Sequence, residues 1–494
     1  MTHTTLPPLC YPVEFREVFV DSSTHGFKQA VVIGGSIAGL LSARVLAEHF
    51  EKVVILEREE LPEGPEYRKA TPQGRHIHAL LEAGMKTLEE LFPGLVEEMV
   101  SEGVDRVDMG QEAAWYHSGS WKARFASGIQ SILSSRPYLE WKVRGRVRAL
   151  PNVELREECA VEQLLTDEAR ERVTGVRVKG PRGEERLEAA LVVDASGRGS
   201  RAPQWLEALG YGRAEEEQVC IDLGYTSRLY ERPPDEQRDW KILVVGARSP
   251  GSWRSGFVSN VEGGRWIVSL NGYFGDHPPT TEEGFLEFAR SLSTQDIYEC
   301  IRNAKPLSEP VTHKVPSSRW LHFERMPRFP EGFAVLGDAV CALNPVYGQG
   351  MTVISQCAKL LGECVATQAR TSPGDIRGLS RRFQEALAGP IGLSWFLATT
   401  MDLNYPQTRG RRMPGLKLVQ WVVGNMIDMT SRNAEACFQF YRLLHMRDGV
   451  EVLLQPKLVA SLLAYSLKSL FVPLPQRANV GAVPPAPGRQ GAGA

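Results

Sequence analysis

Paired cysteines are missing from this chain: its eight cysteines are dispersed and none forms a C-x-x-C pair. That removes the common thiolate metal sites and any disulfide framework. Reduced thiols in a cytoplasm are the expected state of a chain large enough to bury its own core. A surplus of charge is missing too. Lysine and arginine number 57 against 59 aspartates and glutamates, a net charge of -2, so no basic field exists to concentrate nucleic acid, which is excluded as a partner. No stretch reaches the roughly 18 uninterrupted apolar residues of a membrane span. The most apolar region, residues 453–471, is broken by Pro456, Lys457 and Lys468; it reads as a core or lid helix, with peripheral membrane contact through the C-terminal helices as the alternative. The first 28 residues carry neither the basic start nor the apolar centre of a secretory signal and are expected to form a flexible arm. Residues 474–494, rich in Pro, Gly and Ala, are expected to form a disordered tail. His76 and His78 stand two apart without a nearby cysteine, and no metal site is assigned to them.

What is present starts with Val31-Val32-Ile33-Gly34-Gly35-Ser36-Ile37-Ala38-Gly39-Leu40, followed by a helical pattern and then Val53-Val54-Ile55-Leu56-Glu57-Arg58. A β-branched strand, a glycine turn, a helix and a second strand ending in an acid form a dinucleotide-binding pattern. Gly34 permits the sharp turn, Gly39 permits close packing of helix on strand, and the helix points unpaired N–H groups at a pyrophosphate. Glu57, 18 positions beyond Gly39, is placed to accept hydrogen bonds from a ribose. The middle glycine of G-x-G-x-x-G is replaced by Ser36, a side chain small enough to admit a phosphate. NAD and FAD both fit this stretch.

A basic loop follows at residues 67–78, where Arg68 and Arg75 are candidates to neutralise a pyrophosphate, with plain solvated charges as the alternative. Residues 104–134 alternate around Trp115, Trp121 and Phe125, which predicts strands outside the nucleotide-binding unit. Ser135-Arg136-Pro137 opens a helix, with Pro137 in its first turn and Arg136 at its entrance. Short strands at hairpin spacing are expected at 153–156, 161–165, 173–178 and 187–193. The last ends in Asp194-Ala195-Ser196-Gly197-Arg198-Gly199-Ser200, a second place where backbone can approach a cofactor closely. Residues 219–270 predict a broad antiparallel sheet, and 282–293 and 296–303 two helices. A buried strand at 332–336 then stops at Gly337-Asp338-Ala339. Asn344-Pro345-Val346-Tyr347-Gly348-Gln349-Gly350-Met351 leads into a helix with Ile354, Ala358, Leu361 and Val365 on one face. Gly348 and Gly350 would present bare N–H groups at that helix start, where an anionic ring edge can be held.

In their order and separation these three segments resemble the FAD-dependent monooxygenases of the para-hydroxybenzoate hydroxylase superfamily, over roughly residues 29–400. Residues 67–78, Gly197-Arg198-Gly199-Ser200-Arg201 and the run from Asn344 to Met351 look closest to the flavin epoxidases of polyether polyketide biosynthesis, with squalene epoxidase a more distant relative. The resemblance implies a mixed α/β fold in which a Rossmann-like FAD-binding domain is interleaved with an antiparallel-sheet substrate domain and followed by a helical C-terminal region. The expected divisions are an arm (1–28), FAD-binding parts at 29–103, 135–204 and 326–392, substrate-domain strands at 104–134, the substrate domain proper at 205–325, a helical region or lid at 393–473, and the tail (474–494).

The resemblance also implies roles. Gly34, Ser36, Gly39, Glu57 and Arg58 would bind the ADP half of FAD, with Arg75 near the pyrophosphate and Arg136 as a flavin-contacting arginine. Asp194 and Gly197 would touch FAD, and Asp338 its ribityl and pyrophosphate region. Pro345, Gly348 and Gly350 would border the reacting face of the isoalloxazine, with Gln349 and Met351 against it. The implied reaction inserts one atom of O2 into a lipophilic natural product (a polyketide, prenylated aromatic or isoprenoid) by epoxidation or hydroxylation. NADPH or NADH serves as transient reductant, or a separate flavin reductase supplies reduced flavin. A phenol hydroxylase benefits from a Tyr or His base, an alkene epoxidase needs none; no base can be placed from the sequence, and Tyr347 and Tyr405 read as pocket residues that mainly pack. The rivals are an isoprenoid reductase of the geranylgeranyl reductase type, a flavin halogenase (whose W-x-W-x-I-P segment is absent here) and a non-catalytic FAD-binding, membrane-associated protein.

Overall fold

The computed structural model describes residues 26–234, 236–449, 451, 455–471 and 485. The expected arm lies outside the described residues as far as residue 25, and the expected tail lies outside them except at Pro485. Phe27 and Lys28, counted with the arm from sequence, open the first strand instead, because Phe27 pairs with Phe50 and their rings pack 5.1 Å apart.

Continuous apolar runs suit strands buried on both faces, and these form a five-stranded parallel sheet. Its order is Phe333–Val335, Leu191–Asp194, Phe27–Ile33, Phe50–Leu56, Val153–Arg156. The register is level at the carboxyl end: Ile33 pairs with both Asp194 and Leu56, and Asp194 pairs with Val335. Loops far apart in sequence therefore leave the sheet at one edge. Helices Ile37–Leu46 and Gly350–Thr371 pack together beside it, close enough that a Cβ on Gly362 would stand 3.0 Å from Val45.

Two strand expectations need correction. Val153–Arg156 is no part of a hairpin series; it is the edge of the parallel sheet, paired with Phe50–Leu56. The run expected as one strand over 187–193 is two. Gly183–Glu188 pairs antiparallel with Val173–Gly180, and the chain then changes sheets, with Ala189 N–H bonded to the Thr174 carbonyl and Ala190 N–H to that of Gln29. The apolar residues on both sides of this switch hide it from a pattern reading.

The second layer is a large, mostly antiparallel sheet whose spine is the 17-residue strand Glu215–Glu231. It pairs with Arg265–Gly272 on one side and Val311–His322 on the other, with a bulge between Cys220 and Leu223. From the 104–134 region, Ala113–His117 joins this sheet in parallel with Ile242–Val245, while Asp105–Asp108 and Gln130–Leu133 form a separate ribbon. Helices Leu379–Asp402, Leu416–Met429, Ala434–Leu444 and Pro456–Phe471 make up the C-terminal region. Cys437 and Tyr441 of the third pack on Val107, Ile129 and Ile242, so this helix lies against both the ribbon and strand Ile242–Val245. No described helix is long and apolar enough to cross a membrane.

Candidate active site

At the carboxyl edge of the parallel sheet the first glycine turn is built as its spacing demands. Gly34 has φ +106°, a conformation that favours glycine, and donates its N–H to the Leu56 carbonyl at 2.8 Å. A Cβ on Gly39 would lie 1.7 Å from the Gly34 carbonyl oxygen, so helix and strand end touch backbone to backbone. Gly35 N–H donates to Glu57 Oε2 at 2.8 Å, which folds the acid onto the turn. Ser36 is the N-cap residue yet makes no capping bond. Its hydroxyl turns aside to donate to Glu140 Oε2 at 2.6 Å and to accept from Arg136 Nη2 at 3.0 Å. The serine in the middle-glycine position is thereby drawn away from the helix start, which stays open to an anion.

Beneath the turn lies a buried charge cluster. Arg68 reaches Glu57 at 2.7 Å and Glu140 at 2.6 Å. Its charge is taken up by these carboxylates, and a role in neutralising pyrophosphate is not what this arrangement provides. Burial works against the Glu140 carboxylate, yet Arg136 and Arg68 hold its pKa below the ordinary value. Arg136 Nε is buried without a partner among the described residues. Glu140 escaped the sequence reading; its only signal was the i,i+4 spacing to Arg136. Arg75 is not brought to this cluster. It is exposed, its guanidinium 4.7 Å from the centroid of the Tyr67 ring. Arg58 is exposed next to Glu57.

The other two segments arrive at the same edge. The Asp194 carboxylate is buried and shapes its own loop, accepting from Ser196 N–H at 2.9 Å, Ser196 Oγ at 2.5 Å and Ser200 Oγ at 2.6 Å. Burial pushes its pKa up despite these bonds. Gly197 turns the loop with φ +79°, and a Cβ there would meet nothing within 4 Å. Asp338 follows the left-handed Gly337. Burial raises its pKa against the pull of Arg198, Arg136 and Arg319, and its carboxylate makes no hydrogen bond among the described residues. An acceptor without a donor, an arginine nitrogen without an acceptor and an open helix start suit a ligand bearing hydroxyls and phosphates. These features fit FAD.

Within the run from Asn344 to Met351, residues Pro345 to Gln349 border a cavity. Asn344 Oδ1 accepts from Val346 N–H, Gly348 has φ +67°, and a Cβ on Gly348 would stand 2.9 Å from that of Ala79. Gly350 begins its helix with open space where a Cβ would be, and Met351 is buried in the first turn. The cavity, about 440 Å³ in volume, lies between the large sheet and the C-terminal helices. Pro345, Tyr347, Gly348 and Gln349 line one part of it; Trp115, Val244, Phe257, Met426 and Phe440 line others. A volume of this size accommodates a drug-sized molecule.

Tyr347 does more than pack. Its hydroxyl donates to Asp402 Oδ1 at 2.7 Å, and Asn344 Nδ2 donates to the same oxygen at 2.9 Å and to the Tyr273 hydroxyl at 3.1 Å. Asp402 is fully buried, its Oδ2 has no partner among the described residues, and burial lifts its pKa from 3.8 to about 7. No spacing rule links residues 347 and 402, which is why the pair was not seen in the sequence. Tyr405 packs on Tyr273 at 5.5 Å between ring centroids and donates to the Ser252 carbonyl.

Comparison with known proteins agrees with this geometry. A family model described as an FAD binding domain matches residues 28–268. Protein Rv3254 of Mycobacterium tuberculosis (strain ATCC 25618 / H37Rv) is 34% identical over 399 residues, covering 78% of this chain and 82% of that protein. Among solved structures, p-nitrophenol 4-monooxygenase PnpA from Pseudomonas putida DLL-E4 superposes with a TM-score of 0.61 at 17% identity, covering 85% of this chain and 98% of that one. The flavin-dependent brominase Bmp2 gives 0.60 at 14% identity, covering 84% and 92%. At such identities the structural likeness speaks for the fold.

Proposed function

Because the chain belongs to the FAD-binding monooxygenase and halogenase superfamily, we propose that it is an FAD-dependent monooxygenase that inserts one atom of O2 into a lipophilic natural product. The observation that carries this reading is one of adjacency. Pro345 to Gln349, which lead directly into the helix start at Gly350, line a largely apolar cavity. Gly34, Gly39, Glu57, Arg136 and Asp338 would hold the cofactor, with Gly348, Gln349, Gly350 and Met351 against its ring, and NADPH, NADH or a separate reductase as the electron source. FAD supplies the redox and oxygen-activating chemistry when bound.

The chain's own residues then have three tasks. Gly350 and Met351, in the first turn of their helix, would offer backbone N–H groups to an anionic ring edge. The apolar walls exclude water and hold the reacting carbon in place. Tyr347 and Asp402 can relay a proton from a substrate hydroxyl, since a carboxylate titrating near neutrality is matched to that work. This pair favours phenol hydroxylation over alkene epoxidation, the alternative to which the likeness with polyether epoxidases points. Peripheral membrane contact belongs to the same reading. Leu418 and Trp421 of Leu416–Met429, close in sequence to the exposed Arg411, Arg412 and Lys417, and Leu463 and Leu467 of the neighbouring helix Pro456–Phe471 are exposed.

The test is aerobic incubation of the purified FAD-loaded protein with lipid extract from its source cells, reductant and 18O2. One labelled atom per product molecule is expected. A product formed equally well without oxygen would establish the isoprenoid-reductase rival instead, and the absence of any product with any reductant would sink the proposal.

A further inference from the structure

The cavity between the large sheet and the C-terminal helices holds almost no charge. Among the described residues that line it, only Arg248 and Asp428 can carry a full charge near neutral pH, because burial holds His117 and His445 neutral, each with a pKa of about 3. Arg248 lines the cavity and is also exposed, which places it at the mouth. Its guanidinium lies over the turn at Ser118-Gly119, since a Cβ on Gly119 would stand 3.4 Å from its Nη1, and Ser118 lines the cavity too. This side chain makes no hydrogen bond and no ion pair among the described residues.

Asp428, near the end of helix Leu416–Met429, does not cancel that charge. Burial raises its pKa while Arg248, Arg432 and Lys122 pull it down, and none of the three comes close enough to form an ion pair with it. Lys122 is buried, and burial lowers its pKa to about 8, which leaves it mostly protonated at neutral pH. Arg432 is exposed, and its guanidinium also lacks an ion pair among the described residues. Three cations therefore act on one acid, and this end of an otherwise uncharged cavity is net positive. A guanidinium without a protein acceptor can give two parallel N–H bonds to a carboxylate. A neutral ligand brings no charge to meet it.

Resting on the monooxygenase reading for the site's purpose, we propose that the cavity takes an organic acid, its apolar body inside and its carboxylate held at the mouth by Arg248. Arg248 then sets specificity and fixes one end of the substrate, and it has no part in oxygen transfer.

The experiment uses the FAD-loaded protein and two probes of one shape, 2-naphthylacetate and 2-naphthylacetamide, with affinity read by equilibrium dialysis at low salt. The acid is expected to bind at least ~10-fold tighter, the effect of charge-assisted hydrogen bonds. That preference should shrink as salt is raised, because the mouth is open to solvent. Arg248→Gln should abolish the preference and leave the amide's affinity unchanged, and Arg248→Lys, which keeps the charge without the fork, should retain part of it. Asp428→Asn removes the competing negative charge and should tighten the acid several-fold, whereas a site that used both charges to hold a zwitterion would weaken. Arg213→Gln, at an exposed arginine paired with Glu207, controls for the general loss of a positive charge and should change neither affinity. Equal or tighter binding of the amide, binding of neither probe, a preference that survives Arg248→Gln, or weaker acid binding in Asp428→Asn would overturn the proposal. Probe-stimulated oxygen uptake, measured in the same samples, separates the two readings. Acid-selective binding without uptake supports the anchor and counts against monooxygenation. Uptake stimulated equally by acid and amide, in the parent and in Arg248→Gln alike, does the reverse.

Discussion

Replacing Gly39 by alanine is expected to cost the protein its cofactor more than its fold. The added Cβ would stand 1.7 Å from the Gly34 carbonyl oxygen, where real Cβ contacts begin beyond 3.0 Å. Both partners are backbone, so no side chain can swing away, and the start of helix Ile37–Leu46 must retreat by roughly 1.5 Å to reach ordinary contact. Overpacking of this kind costs about 1–3 kcal/mol of stability, a loss a large chain tolerates. The consequence for a bound pyrophosphate is larger. Its hydrogen bonds to the first N–H groups are charge-assisted, each worth about 1.5–3 kcal/mol, and moving the helix start weakens several together. Two such bonds lost would weaken FAD binding by a factor on the order of 100 or more. Flavin retained after purification and FAD titration of the apoprotein measure this, with thermal unfolding alongside. Gly145→Ala is the control, because a Cβ there meets nothing within 4 Å in the middle of helix Arg136–Arg148; it should leave FAD affinity alone and stabilise slightly. A Gly39→Ala protein that binds FAD like the parent would refute the reasoning.

Two further outcomes are expected. Asp402 has its pKa raised by burial to about 7, above that of an unfolded carboxyl, so the native state holds this proton more tightly. Its contribution is complete below about pH 3.9 and is lost as the pH climbs to about 7; Asp402→Asn should flatten that fall in a melting series by up to about 1.4 kcal/mol per pH unit, and a slope unchanged by the substitution would exclude the assignment. The protein should also co-sediment with phosphatidylglycerol vesicles and far less with phosphatidylcholine vesicles, and a Leu418→Glu, Trp421→Glu double variant should stay in the supernatant; equal sedimentation of parent and variant would rule out this face.

Sequence carried the fold wherever a constraint fell on the backbone. The turns at Gly34, Gly197, Gly337 and Gly348 need conformations with positive φ, and each was legible because glycine is the residue that adopts them without strain. The spacing to Glu57 was legible because strand, helix and strand lengths fix it. Side chains that meet through the tertiary fold left no such trace. Glu140 joins Ser36 across 104 positions, Tyr347 reaches Asp402 across 55, and His445 meets Glu82 across 363. The edge strand Val153–Arg156 was misplaced because half-buried residues in a four-residue run fit a hairpin as well as a sheet edge. Ser36, which stands where the motif has its middle glycine, is held by Glu140 and Arg136 of helix Arg136–Arg148, partners that no local spacing announces.

The parallel sheet also dictates when the protein can become itself during synthesis. Its neighbours in space are drawn from residues 27–56, 153–156, 191–194 and 333–335, so the inner strand Leu191–Asp194 has no outer partner until two thirds of the chain exists. The first glycine turn leaves the ribosome early but lacks the loops opposite it. Pairings this distant are slow and leave apolar edges exposed in the interim. The strand Leu191–Asp194 therefore keeps one edge unpaired until Phe333–Val335 has been made. For the same reason, cutting the gene between any two of these segments would yield fragments that each lack part of one shared sheet.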